Sequence, residues 1–171
     1  GMRGYTLAAR AYILGVVLLG AALLTVSVHE VSTGHPGLWD EVVVLALLVV
    51  GAEALATTLG ALVARDMTIS VATPILIASF LLLGPWGAAI VGAGILLDPT
   101  PIALVKRLFN GAGAVVTVFV SGWVYVLTGG VPLLEGSFSV RGTLLPMLLA
   151  SLALEVVNGT LIVGVVSLAE R

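Results

Sequence analysis

The chain has 171 residues, of which 60% are hydrophobic and 9% charged, with a formal net charge of −2. A typical soluble domain carries about 25% charged residues, and the mean hydropathy here is +1.23, so the composition is that of a membrane protein. The scattered basic residues leave no electrostatic footprint for nucleic acid. The lack of cysteine excludes disulfides, thiolate metal sites and a cysteine nucleophile.

Gly1 ahead of Met2 looks like an added residue and is left out of the reading. The first apolar run, 11–28, follows Arg3 and Arg10. It is longer than the hydrophobic region of a signal peptide and no A-x-A-like site follows it, so an uncleaved first span is expected. A polar loop over 29–39, broken by Gly34, Pro36 and Gly37, leads to Asp40 and Glu41. These acids suit the first turn of a second span, 40–64, with Glu53 near its middle.

The stretch 68–113 organises the rest. Two short apolar segments, 68–83 and 86–97, are separated only by Gly84-Pro85, and each falls short of the roughly 20 residues of a comfortable span. Short, Gly/Pro-interrupted segments are where membrane proteins open backbone and polar groups to a ligand or cavity. This hairpin is therefore expected to form one wall of any site. After Asp98-Pro99-Thr100-Pro101 comes a fifth span, 105–127, then a partly apolar loop over 129–142. The sixth, 143–168, holds Pro146 in its first turn, where a missing N–H costs little, and Glu155 and Asn158 near its middle.

The fold class expected is thus a single all-α integral membrane domain of six transmembrane helices with N-terminus and C-terminus both inside. Arg3, Arg10, Arg65, Lys106, Arg107 and Arg171 then fall on the cytoplasmic side, leaving Arg141 outside. Trp39, Trp86, Trp123 and Tyr125 fall near the outer interface, and Tyr5 and Tyr12 near the inner one, as amphipathic rings prefer. Gly84, Ala88 and Gly92 recur every fourth position, as do Ala56, Gly60 and Ala64, and such stripes let helices approach closely in lipid.

Polar groups in apolar helices are the candidate chemistry. A carboxylate at mid-bilayer costs at least about 2.5 kcal/mol, so it faces a partner, water or a cavity. Glu53 and Thr57 share one helix face, Glu155 and Asn158 another, and Arg107 and Asn110 a third. Two readings stand side by side: the six residues converge on a ligand pocket between the helices, or they make structural interhelical hydrogen bonds. Lys106 and Arg107 also fit as anchors for anionic lipid. His29, Glu30, His35, Asp40 and Glu41 match no zinc spacing, so no metal, no cofactor and no catalytic constellation is expected.

Ser70, Pro74, Gly84-Pro85-Trp86-Gly87-Ala88-Ala89, Arg107-Leu108-Phe109-Asn110-Gly111-Ala112 and Val157-Asn158-Gly159-Thr160-Leu161 together carry a resemblance. From about residue 70 onward the chain resembles the multi-span membrane region that precedes HD-GYP phosphodiesterase and GGDEF cyclase domains in bacterial cyclic di-GMP signalling proteins. The resemblance implies a sensory input domain in the bacterial inner membrane, whose last helix continues into a cytoplasmic effector. The HD-GYP metal ligands and the GGDEF loop have no counterpart here, so no enzymatic activity is implied. In architecture alone the chain is also similar to the substrate-binding component of energy-coupling-factor vitamin transporters. The partners expected are the lipid bilayer, a small-molecule ligand and, for a signalling protein, a second copy in a homodimer.

Overall fold

The computed structural model describes residues 5–63, 72–97, 102–136 and 138–169, without the side chains of 57–63. Among the described residues there are five α-helices and no strand: α1 Leu7–Gly34, α2 Trp39–Val63, α3 Thr73–Gly92, α4 Leu104–Leu127 and α5 Leu145–Ala169. A 3-10 turn, Pro36–Leu38, joins α1 to α2; another, Ala93–Leu97, prolongs α3; a π-helical turn, Val140–Leu144, leads into α5. Four stretches are long and apolar enough to cross a membrane: Leu7–Gly34, Thr73–Leu97, Leu104–Leu127 and Val140–Ala169.

Two boundaries differ from the sequence reading. α1 runs past residue 28 to Gly34, because nothing between Val28 and Thr33 interrupts a helix. It stops where Gly34 and Pro36 remove the helical alternative, with the His35 N–H still bonded to the Val31 carbonyl. The segments 68–83 and 86–97 were expected as separate spans, but their described residues lie on α3 and its 3-10 extension, with the break inside the helix.

α4 is the centre of the bundle. It packs against α1, α3 and α5, while α2 packs on α3 and the Ala93–Leu97 turn. Residues 111–118 of α4 are all buried, and small side chains set how close the neighbours come. A Cβ on Gly20 of α1 would stand 2.7 Å from the Ala112 Cα, and one on Gly122 would stand 2.7 Å from the Pro85 Cα. At both crossings the backbones themselves are in contact, which only glycine permits.

Side-chain hydrogen bonds fix the ends. The Thr6 hydroxyl caps α1 by accepting from the Ala9 N–H at 3.1 Å, and donates to the Leu168 carbonyl at 2.7 Å. Tyr12 donates to the Leu161 carbonyl at 3.3 Å, so the start of α1 is tied to the end of α5. Arg10 lies on α1 close to this end, and Lys106 and Arg107 lie in the first turn of α4. The opposite end gathers the α1–α2 turn, the break in α3 and the loop that follows α4.

The core is apolar and so is much of the outside. Val42, Val49, Leu76, Phe80, Val91, Val118 and Tyr125 fill the main cluster, and Ile13, Val16, Phe109 and Ala112 a smaller one. Yet Leu18, Leu47 and Leu152 are 60%, 64% and 62% exposed. A water-facing helix bundle carries polar residues on that outer surface; this one presents leucine and valine.

Candidate functional site at the break in α3

The break follows from two adjacent residues. Pro85 has no N–H to give to the Leu81 carbonyl four residues back, and its ring crowds that turn. Gly84 adopts φ 69° and ψ −171°, a conformation essentially reserved for glycine. The carbonyl that Pro85 leaves unbonded is not lost. The Leu133 N–H, from the loop after α4, donates to the Leu81 oxygen at 2.8 Å. A loop residue has taken the place of the missing helical donor, and this ties the broken helix to the segment leading into α5.

A cavity of about 200 Å³ opens at this point. Gly84, Pro85 and Trp86 form one wall, Val31 and His35 of the α1 end another, and Trp123 and Val126 of α4 a third. Pro132 and Glu135 of the loop complete it. Trp86, Phe119 and Trp123 make an aromatic cluster with ring centroids 5.2 to 6.3 Å apart, the two indoles meeting edge to face at 87°. At the rim His35 Nε2 and a Glu135 carboxylate oxygen are 3.7 Å apart, both side chains about half exposed. Tyr125 steadies the loop by donating to the Val131 carbonyl at 3.0 Å, and its ring packs on Phe80. The site therefore offers a mostly apolar, indole-lined hollow with one carboxylate and one imidazole at its mouth.

Five of the six polar residues singled out from the sequence are placed elsewhere, and the side chain of the sixth, Thr57, lies outside the described residues. Glu53 is half-buried on α2 and makes an interaction of its own. Arg107 is half-buried in the first turn of α4 and also has a partner, while Asn110, one turn on, is exposed. Glu155 and Asn158 share a face of α5, as their spacing requires, and both are exposed. Glu155 lines a shallow groove with Val156, Gly159, Thr160 and Val163, all from α5 itself. None of the five whose side chains are described lines the cavity at Gly84. α2 and α5 are not packed partners, since α3 and α4 stand between them.

The expectation that the Gly84-Pro85 segment walls a site and the placement of these five polar residues thus point to different regions. From the sequence, His35 is weighed only as a metal ligand and Glu135 is passed over, because the two are 100 residues apart in separate loops. Their one sequence signal is that both flank a helix breaker, Pro36 and Gly136. No protein-family model, curated protein or solved structure matches this chain.

Proposed function

We propose that the chain is a membrane-embedded sensory domain that takes a small ligand in the cavity at Gly84 and relays its presence to α5. The observation that carries this is the Leu133–Leu81 hydrogen bond. It joins the helix that walls the cavity to the loop that runs, through Pro132, Glu135 and the π-helical turn, into α5. A ligand that favours one arrangement of Pro132 and Glu135 shifts α5 by its differential affinity for the two arrangements. π-helical turns mark such adjustable points in helices. At about 200 Å³ the cavity is below the 300–1,000 Å³ of drug-sized sites. It suits a compact apolar molecule with one basic or hydrogen-bonding group directed at Glu135.

The six-segment, N-in and C-in arrangement in the bacterial inner membrane belongs to the same proposal. Arg10, Lys106 and Arg107 lie at the end opposite the cavity, and Trp86 and Trp123 beside it, in keeping with an inner basic rim and an outer aromatic belt. The two arms of α3 on either side of Gly84 are the third and fourth segments. Thr73 is ten residues beyond Val63, a reach of at most about 36 Å, and α2 alone is about 37 Å long. The first arm therefore starts no farther out than about the outer end. It turns back beside the core, which agrees with the full burial of Ala72 and Phe80.

The test uses the purified chain in lipid nanodiscs with a panel of monocyclic amines and their matched alcohols. Binding is read from tryptophan fluorescence and from the unfolding temperature. The reading expects amines to be preferred, Glu135→Gln to abolish that preference, and Val126→Phe to block both series. If no member binds at millimolar concentration, or if binding survives Val126→Phe unchanged, the site reading is wrong.

A substrate-binding subunit of a small-molecule transporter is the second reading. The same cavity favours it, because an outward-facing hollow is where such a subunit captures its cargo.

A further inference from the structure

We infer that the outer face of α5 is a self-association surface, occupied by the α5 of a second copy of this chain. The face lies about a quarter turn around α5 from the one it uses within the bundle. Ala150, Leu154, Val157, Leu161 and Val165 turn inward, with Leu161 and Val165 packed on the smaller core cluster and Leu161 beside Gly113. Glu155, Asn158, Ile162 and Val166 are exposed on the flank beside it, spaced three and four apart, so they form one stripe. Glu155 is the eleventh of the 25 residues of α5, close to the middle of a membrane-length helix. A carboxyl group presented to lipid there is costly, and such groups face protein or water instead.

Three features select a second copy as the cover. The stripe supplies its own complement, since Glu155 brings acceptor oxygens and Asn158 an amide donor in equal number. Two copies embedded in one membrane share one orientation, so their α5 helices meet in parallel about a two-fold axis along the membrane normal. In that geometry each Asn158 lies about 4.5 Å along the axis from the other copy's Glu155, three residues at 1.5 Å each, and the two hydrogen bonds form reciprocally. Gly159, between these polar groups and Ile162, has nothing within 4 Å of where a Cβ would be, and it leaves the dent that makes the groove with Glu155 and Val163. A helix backbone can approach there as closely as Gly20 approaches Ala112 inside the bundle. The inference rests on membrane embedding but not on any ligand at Gly84.

The chain has no cysteine, so single cysteines report contacts without a background. A scan over 154–166 in proteoliposomes at low protein-to-lipid ratio, oxidised with copper phenanthroline, is expected to give cross-linked dimer maxima at positions 155, 158, 159, 162 and 166. Minima are expected at 154, 157, 161 and 165. Asn158→Leu should weaken association about tenfold, from the loss of two intramembrane hydrogen bonds; Glu155→Gln, which keeps an acceptor, should weaken it less than Glu155→Leu. Carbonate-resistant insertion measured on the same samples separates a failure of membrane embedding from a failure of association. Inserted protein that stays monomeric at every ratio, or cross-linking that peaks on the inward positions or without helical periodicity, overturns the inference.

Discussion

Gly84→Ala isolates the conformational demand at the break. The residue stands at φ 69°, ψ −171°, a region that costs a residue with a Cβ about 1–3 kcal/mol. The added methyl would also stand 3.2 Å from the Pro132 Cγ, a contact tight enough to need a small shift of the ring. The control is Gly51→Ala in α2. There the glycine is exposed, helical and free of neighbours within 4 Å, and alanine is favoured over glycine inside a helix by about 0.5–1 kcal/mol. The same chemical change is therefore destabilising at residue 84 and stabilising at residue 51, with a gap of about 2–4 kcal/mol. Unfolding in nanodiscs, followed by tryptophan fluorescence against temperature, measures both. Equal shifts for the two variants would mean that Gly84 is an ordinary helical glycine, and the account of the break would fail with it.

Gly122→Val places a branched side chain against the Pro85 backbone, where even a Cβ would come within 2.7 Å; a loss of about 1–3 kcal/mol is expected, with a change in tryptophan emission as Trp86 and Trp123 part. Thr6→Ala removes both the cap of α1 and the bond to the Leu168 carbonyl, for a loss of about 1–2 kcal/mol in the same unfolding assay. His35→Ala removes a 3.7 Å contact with Glu135 whose members are about half exposed, so stability should change by less than about 1 kcal/mol. Ligand preference at the rim is where that substitution should be felt.

Much of the fold was legible because composition and breakers speak directly. The all-helical, membrane-type character and the fracture at Gly84-Pro85 are visible in the sequence as apolar runs and as a glycine followed by the one residue without an N–H, while of the six spans read there, four stretches among the described residues are long and apolar enough to cross a membrane. The site was half legible. The stretch around Gly84 was marked as a wall, yet the opposite wall is built from His35, Pro132 and Glu135, loop residues whose approach depends on where the helices end. α1 ending at Gly34 rather than near residue 28 is what carries His35 to the cavity. The mid-helix polar residues misled for a reason that periodicity cannot resolve. Spacing places Glu155 and Asn158 on one face of α5, but whether that face turns inward depends on α4, and α4 is met on the side of Leu154, Val157 and Leu161.

Sensing and transport place different demands on the packing beneath the cavity. A transported molecule must pass inward, past the second arm of α3, where Ala88, Ala89 and Val91 are fully buried. Here a Cβ on Gly92 would stand 2.9 Å from Val118 Cγ2 and 3.2 Å from the Ala114 oxygen. Opening that path means parting α3 from α4 along close, small-residue contacts that no hydrophobic force restores in lipid. A relay asks only for movement at Pro132–Glu135, above this seam. Joining Gly92→Cys to Val118→Cys as a disulfide, at positions where an added Cβ on residue 92 faces the side chain of residue 118, locks the seam shut. The locked protein should bind amines in nanodiscs as the reduced form does, and in proteoliposomes neither form should accumulate them. Uptake by the reduced form that the disulfide abolishes would establish passage between α3 and α4 and decide for transport.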